Sequence, residues 1–430
     1  MINAVEYNKF LDLRPLNVTR AFPASRFALV SMKDIAAVAV EKNAIVMAAN
    51  IRNPLSALGI LRAAKKVDSF VLLELAKSEA GYTGVNFRNL PWFAMQFSSS
   101  IEDKTVFGLH MDHYAIKSNS DRDEAIVTVP DAISRGWTSV AVDASHNPDY
   151  ENLIFTRDLA MHIPPYIGLE VEVGEIKGAG VLSTVEEAEF FIGGLNSWGI
   201  FPDFLAISNG SKHGTYDSSK GEGEGIDLRR TGEIANAISQ YNCRIAQHGI
   251  SGTPLDKVGH FKEYGINKGN VGTLWQNILF GLEMDPDSGN AVMENGSFVK
   301  RSDKGIPNEL WDEIVSWADA WGYPRNSGDY KKANLPFHYR IMSLPYLYRD
   351  RILEETEKWA LRFFEAFNST GTGTAVIDRI LQRDDWNSAP ERSITAVRKN
   401  YSASFAPDAA PYGGGGTGKE LDATVEDFSD

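Results

Sequence analysis

The sequence predicts an α/β protein built as a (β/α)8 TIM barrel with additional segments at both ends. From about residue 43 onward, short apolar runs alternate with amphipathic segments, and eight such runs follow one another. Eight strand–helix alternations indicate a closed barrel rather than an open doubly wound sheet. The chain has 430 residues, well above the roughly 250 residues of a single barrel, so an extra region is expected.

Each of the eight apolar runs has the length expected of a strand that is buried on both faces, as in a parallel sheet. The eighth run is the weakest, because it contains several polar residues. In chain order the runs cover residues 44–49, 70–76, 105–110, 138–143, 166–172, 204–208, 244–248 and 265–272.

The segments between these runs have helical signatures. Residues 56–67 place apolar side chains at helical spacing, and Thr184 is a predicted N-terminal cap followed by acidic residues in the first turn. Residues 227–239 and 254–265 follow the same pattern, with Pro254 near the start of the second segment. The sequence therefore predicts a helix after each strand.

The barrel core is predicted to span residues 43–284, after an N-terminal arm at 1–42 that packs beside it. Residues 285–400 are predicted to form a C-terminal helical extension that completes the barrel through the long amphipathic stretch 346–367. Residues 401–430 are glycine-rich with an acidic end, which is typical of a disordered tail.

The composition excludes several function classes. The chain has 43 basic and 57 acidic residues, and its net charge of −14 argues against nucleic acid or an anionic membrane as the main partner. The single cysteine, Cys243, cannot form an internal disulfide.

The first residues do not resemble a signal segment, and no apolar run approaches the roughly 20 residues that span a bilayer. We therefore expect a cytoplasmic protein.

Residue types that commonly bind metals lie at the C-terminal ends of four predicted strands, where (β/α)8 barrels have their catalytic residues. Because neighbouring strand ends converge on one mouth, we expect one side chain from each to hold a catalytic divalent metal, best matched by Zn²⁺. These four predicted ligands are His113, Glu172, His213 and His248. The other four histidines, interpreted as structural residues, are His110, His146, His162 and His260.

Glycine-containing loops at the same mouth predict an anion site. Glycines let backbone N–H groups approach an anion, and a following helix N-terminus favours negative charge. The loops after the seventh and eighth strands are also the usual phosphate site of this fold. The predicted phosphate-binding residues are Gly214, Gly249, Ser251, Asn270 and Thr273.

Six segments together resemble successive signatures of class II, metal-dependent fructose-bisphosphate aldolases. They occur in the family's order across residues 44–279, about half of the chain. The six segments are HMDH, SVAVDASH, LEVEVGEIKG, LAISNGSKHG, IAQHGISGTP and KGNVGT.

The resemblance implies zinc-dependent, reversible cleavage of fructose 1,6-bisphosphate to dihydroxyacetone phosphate and glyceraldehyde 3-phosphate, through a metal-stabilised enediolate. This reaction belongs to glycolysis and gluconeogenesis. The resemblance further implies that Asp112 exchanges a proton with the hydroxyl at the cleaved bond. Asp143 and Ser78 are possible substrate contacts. A monovalent cation near the phosphate and a homodimer or homotetramer are also implied.

The chain departs from the family pattern in two places. The segment after the fifth strand runs almost directly into the next helix, without the family's long loop and its mobile acid. Glu170, Glu175 or an acid within 214–227 is a candidate replacement. The arginine for the far phosphate has no clear counterpart, and Arg340 and Arg349 are candidates. An aldolase or epimerase acting on another ketose phosphate, or a non-catalytic aldolase-like subunit, therefore remains an alternative.

Overall fold

The computed structural model describes residues 2–101, 104–174, 182–210 and 226–383. Within these ranges eight parallel strands close into a barrel, each hydrogen-bonded to two neighbours. The predicted (β/α)8 fold is confirmed. The barrel strands are β1 (Val46–Asn50), β2 (Val71–Ala76), β3 (Val106–Ala115), β4 (Ser139–Asp143), β5 (Gly168–Val173), β6 (Phe204–Ile207), β7 (Arg244–Gln247) and β8 (Ile266–Val271).

Helices precede, surround and follow the barrel. Those before β1 are α1 (Ala4–Asp12), α2 (Leu16–Ala21) and α3 (Met32–Glu41). Those that follow successive strands are α4 (Pro54–Val67), α5 (Leu90–Ile101), α6 (Asn119–Ser134), α7 (Asp149–Ala160), α8 (Val185–Ser197), α9 (Leu228–Ile238), α10 (Leu255–Gly259) and α11 (Thr273–Phe280). The last group comprises α12 (Asn308–Ala320), α13 (His338–Met342), α14 (Tyr346–Ala366) and α15 (Thr372–Leu381).

Local sequence signals account for several of these boundaries. The Thr184 hydroxyl accepts a hydrogen bond from the Glu187 amide and begins α8, as expected of a capping box. Helix α14 packs against α4, α10 and α11, so it fills the position of the eighth helix in the outer ring. Between the two elements α11 and α14 lies a small hairpin, formed by Met293–Glu294 and Ser297–Phe298.

The N-terminal mouth of the barrel is closed by the arm. Helix α3 contacts β1, β3, β5 and β8, strands from different sides of the barrel, so it lies across the mouth. Gly168 permits the close approach, because a Cβ there would lie 2.5 Å from the Cβ of Met32. A short strand, Ala28–Leu29, extends the sheet beside the first residues of β3. Helix α15 packs against α1 and α3 at this end of the barrel.

The barrel interior changes character along its axis. At the N-terminal end, the inward side chains form one apolar cluster with the arm, including Val46, Leu72 and Phe204. Further along the same strands, the inward positions carry charged side chains such as Glu170 and Lys268, which are also fully buried. The polar half therefore faces the C-terminal mouth. Across the described ranges, no helix combines the length and apolarity needed to cross a membrane.

Candidate active site

Strand β3 is irregular where its chemical side chains lie. The pairing of β3 with β4 shifts register between Met111 and Tyr114, and His113 has a φ of 39°. In a regular strand, Asp112 and His113 would face opposite sides of the sheet. The bulge and the left-handed backbone bring both side chains into the barrel, where they are buried. A left-handed conformation is strained for histidine, so the surrounding structure must hold it.

One imidazole–carboxylate cluster joins the ends of three strands. The donor atoms of His113, Asp143 and Glu172 all lie within 4.8 Å of one another. His113 Nδ1 is 3.0 Å from Glu172 Oε1 and 3.9 Å from Asp143 Oδ2. The Ser145 hydroxyl donates to Asp143 Oδ1 at 2.6 Å and fixes that carboxylate. The cluster therefore presents nitrogen and oxygen donors from fixed directions.

A second cluster shares His113 and adds the end of β7. The donor atoms of Asp112, His113 and His248 also lie within 4.8 Å of one another. The rings of His113 and His248 are edge to face, with centroids 4.4 Å apart. His248 Nε2 lies 3.0 Å from Glu170 Oε1. If Nε2–H donates to this carboxylate, the lone pair of the imidazole is on Nδ1.

A charged floor, formed by Glu74, His110, Glu170 and Lys268, lies on the N-terminal side of both clusters. Lys268 Nζ is 2.9 Å from Glu170 Oε2 and 3.6 Å from Glu74 Oε2. His110 Nδ1 pairs with the Ser139 hydroxyl at 2.9 Å. All four floor residues are fully buried. Because water is excluded, these charges must compensate one another.

Burial opposes ionisation in the floor, and the neighbouring charges decide the outcome. Burial alone would lower the pKa of Lys268, but the Glu170 and Glu74 carboxylates raise it above its ordinary value. Burial alone would likewise raise the pKa of Glu170, and the Lys268 ammonium lowers it well below the usual range. Burial and the same ammonium lower the pKa of His110 to about 3, so this imidazole is neutral.

The clusters nearer the mouth favour a protonated imidazole. Burial alone would lower the pKa of His113, but the Glu172 and Asp112 carboxylates raise it well above its ordinary value. Burial and the charge of Asp143 raise the pKa of Glu172. A cation bound here would replace the proton on His113 and relieve the repulsion between the carboxylates.

The predicted phosphate loops meet at the mouth. The Gly272 amide donates to the Ser251 hydroxyl at 3.2 Å and connects the loop after β7 to the loop after β8. Gly249 has a φ of 66°, a backbone conformation that disfavours larger residues. Thr273 is the first residue of α11. Asn270 lies deeper, inside the barrel, where its amide donates to Asp112 Oδ1 at 3.2 Å.

The described structure does not include every predicted site residue. His213, Gly214 and Glu175 lie outside the described residues. Ser78 is exposed and precedes a single turn of 3-10 helix, Glu79–Gly81, after β2.

Glu74 and Lys268 belong to the floor but are not among the site residues predicted from the sequence. Glu74 is a charged residue within the otherwise apolar run 70–76, and that signal was available in the sequence, whereas Lys268 lies in the polar eighth run. Glu170 had a role only as a candidate mobile acid. His110, interpreted as structural, belongs to the floor and is hydrogen-bonded to the Ser139 hydroxyl. Asp143, predicted as a possible substrate contact, lies within the donor cluster of His113.

The donor set fits a divalent metal. Imidazole nitrogens and carboxylate oxygens that converge in a buried site suit zinc and similar ions. Burial would otherwise penalise three acidic side chains this close together, namely Asp112, Asp143 and Glu172. The described residues therefore offer at least three ligands from different strands, and His213 is the fourth by prediction.

Comparison with known proteins gives consistent results. Residues 30–291 match the sequence model of the family described as "Fructose-bisphosphate aldolase class-II". A fructose-bisphosphate aldolase from Streptococcus pyogenes serotype M1 is 28% identical over 254 residues, which cover 57% of this chain and 79% of that protein. A fructose-bisphosphate aldolase from Giardia intestinalis is 24% identical over 318 residues, covering 67% and 92%. The YdjI aldolase from Escherichia coli K12 shares the fold, with a TM-score of 0.52, 16% identity, and coverage of 80% and 99%.

Proposed function

The chain belongs to the class II fructose-bisphosphate aldolase family, and we propose that it is a zinc-dependent aldolase that reversibly cleaves fructose 1,6-bisphosphate to dihydroxyacetone phosphate and glyceraldehyde 3-phosphate. The observation that carries this proposal is the buried convergence of His113, Glu172 and His248 beside Asp112 at the C-terminal mouth. A family member without activity would have no need to keep these groups buried together.

In this proposal, His113, Glu172, His213 and His248 hold the metal. When bound, Zn²⁺ supplies Lewis-acid stabilisation of the negative charge that develops on the substrate oxygens. Asp143 lies close enough to His113 to orient its ring or to act as an alternative oxygen ligand. The carboxylate of Glu170 orients His248 by its contact with Nε2, which leaves Nδ1 for the metal.

Asp112 is proposed to exchange a proton with the hydroxyl at the cleaved bond. Its carboxylate is buried beside His113 and is held by the Asn270 amide. A fixed carboxyl group next to the substrate oxygens can accept or return the hydroxyl proton at the cleaved bond. We therefore assign this transfer to Asp112.

The phosphate of the ketose is assigned to the two connected loops at the mouth. Backbone amides around Gly249 and Ser251, with the N-terminus of α11 at Thr273, provide hydrogen-bond donors and a favourable dipole. Gly214 belongs to the same predicted site. We propose that a monovalent cation binds near the phosphate. Holding the phosphate orients the ketose for the bond change.

We propose that a residue other than Glu170 moves the carbon-bound proton. The two oxygens of that carboxylate are engaged by His248 and Lys268, and its lowered pKa keeps it ionised. Glu175 and the acids of 214–227 remain the candidates. Because only ten residues separate Gly174 from α8, an aldolase or epimerase acting on a different ketose phosphate is the second candidate function.

The proposed reaction also implies a cellular setting for the enzyme. We place the activity in the cytoplasm, within glycolysis or gluconeogenesis, with the enzyme as a homodimer or homotetramer. Its small-molecule partner is a phosphorylated sugar. Neither nucleic acid nor a membrane is part of the proposal, consistent with the net charge of −14.

A hydrogen-exchange experiment tests the proposal without a guess about the aldehyde. The zinc-loaded protein is incubated with dihydroxyacetone phosphate in heavy water, and deuterium entry at the hydroxymethyl carbon is followed by NMR. We expect stereospecific exchange that a chelator abolishes and that zinc restores.

The outcomes separate the candidates. Exchange together with cleavage of fructose 1,6-bisphosphate supports the full proposal. Exchange without that cleavage favours another ketose phosphate, and a panel of aldehyde acceptors then identifies the substrate. If metal is bound but no exchange occurs, the aldolase proposal fails and a non-catalytic subunit becomes the better explanation.

A further inference from the structure

Lys268 is a lysine with no solvent exposure at the centre of the barrel. Its ammonium group donates to Asn270 Oδ1 at 2.7 Å and lies 2.9 Å from Glu170 Oε2. A second carboxylate oxygen, Glu74 Oε2, forms an ion pair with the ammonium at 3.6 Å. The ammonium therefore has one amide acceptor and two carboxylate neighbours within the barrel.

The contact with Glu170 leads to a metal ligand. One oxygen of this carboxylate faces Lys268 and the other faces His248 Nε2 at 3.0 Å. The ammonium therefore fixes both the charge and the orientation of Glu170. A carboxylate held in this way sets the tautomer and the ring direction of the histidine that it contacts.

The contact with Asn270 leads to the proton-transfer group. Lys268 binds the carbonyl oxygen of the Asn270 side chain, so the amide nitrogen points to Asp112 Oδ1 at 3.2 Å. The ammonium thus determines which way the amide faces. A reversed amide would place an oxygen against the Asp112 carboxylate.

We propose that Lys268 is a positioning residue that sets the metal ligand His248 through Glu170 and the carboxylate of Asp112 through Asn270. This inference rests on the proposed function, because it assigns Lys268 to a metal site. Lys268 touches neither substrate nor metal in this arrangement. It acts through two neighbouring side chains, Glu170 and Asn270.

Lys268→Met tests the inference, since methionine keeps an unbranched side chain of similar length without the charge. We expect the affinity for Zn²⁺, measured by competition with a chromophoric chelator, to fall by about 10- to 100-fold. In the cobalt-substituted protein, the visible d–d absorption should change in position or intensity. Such a change reports ligand geometry, which a general loss of stability would not alter.

Glu170→Gln is the second variant, because Lys268→Met leaves two buried carboxylates without their cation and can prevent folding. Glutamine keeps the shape but not the charge between Lys268 and His248. We expect the same direction of change in zinc affinity and in the cobalt spectrum. If circular dichroism shows that Lys268→Met is unfolded, Glu170→Gln decides the question.

Lys33→Met is the matched control. Lys33 also pairs with a buried carboxylate, Asp203 Oδ2, at 3.1 Å, but at the N-terminal end of the barrel. We expect this variant to keep the zinc affinity and the cobalt spectrum of the unaltered protein.

Three results would overturn the inference. Unchanged zinc affinity and cobalt spectra in the folded floor variants would remove the positioning role while leaving the proposed function intact. An equal loss of affinity in Lys33→Met would show a general stability effect. If the unaltered protein binds neither zinc nor cobalt, the metal-dependent function itself fails, and the inference fails with it.

Discussion

The two halves of the barrel interior are built by the same eight strands but have opposite chemistry. In the N-terminal half, inward residues such as Phe204 pack with the arm helix α3 in an apolar cluster. In the C-terminal half, the next inward positions carry the floor and the donor clusters. The N-terminal half resembles an ordinary hydrophobic core, whereas the C-terminal half holds ionised groups in compensating pairs.

This difference separates stability from chemistry along one axis. Burying a large apolar side chain stabilises a fold by about 1.5–3 kcal/mol, and the N-terminal half contains many of them. A buried charge pair contributes little net stability, because desolvation offsets the attraction. The charged half is therefore best explained by what it binds, and it depends on the apolar half to hold it in place.

The largest effect is expected from Asp112→Asn in the charged half. Asparagine keeps the shape of the side chain but removes its ability to accept a proton. We expect kcat for aldol cleavage to fall by about 10²- to 10⁴-fold, with bound zinc retained. Steady-state kinetics and metal analysis on the same sample measure both quantities. Full activity in this variant would remove Asp112 from the reaction.

Phe204→Ala addresses the apolar half. Phe204 is fully buried in the cluster beneath the floor, and deletion of its ring leaves a cavity. We expect the free energy of unfolding, measured in urea, to fall by about 3–5 kcal/mol. Zinc affinity should change much less, because no donor atom is removed. A large loss of zinc affinity with little loss of stability would contradict the separation of the two halves.

Proton linkage gives a smaller effect in the charged half. The raised pKa of His113 means that, above pH 6.5, the folded metal-free protein holds a proton that the unfolded chain has released. Its stabilising contribution is complete below pH 6.5 and is lost as pH rises through the raised value, by up to about 1.4 kcal/mol per pH unit. Urea unfolding of chelator-treated protein from pH 6.5 upward measures this slope.

His113→Asn is the control for this slope. The variant should show a shallower decline than the unaltered metal-free protein, since one titrating group is gone. Saturating zinc should also flatten the curve for the unaltered protein, because the metal replaces the proton. An identical slope in His113→Asn would show that another group causes the pH dependence.

The smallest effect is expected outside both halves. Arg135 pairs with Asp131 across one turn of α6, and both side chains are largely exposed. Arg135→Ala should change the free energy of unfolding by about 0.5 kcal/mol or less and leave kcat unchanged. A loss comparable to that of Phe204→Ala would show that this exposed ion pair contributes as much stability as a buried aromatic ring.

Much of the fold and part of the site follow from local patterns. The order of apolar runs predicts the barrel, and the structure confirms it. Strand alternation places Glu170 and Glu172 on the same face of β5, and the structure buries both. The roles of the individual site residues remain predictions, and those of His213 and Gly214 concern residues outside the described structure.

By itself, the sequence determined the strand and helix order and the polar character of the C-terminal mouth, because both depend on neighbours a few residues apart. Only the tertiary structure decided that His113 turns inward beside Asp112, since that requires the bulge where β3 meets β4. It also decided the direction of each pKa shift and the role proposed for Lys268. Those depend on charges brought together from strands far apart in the chain, and strand alternation does not specify which charges meet.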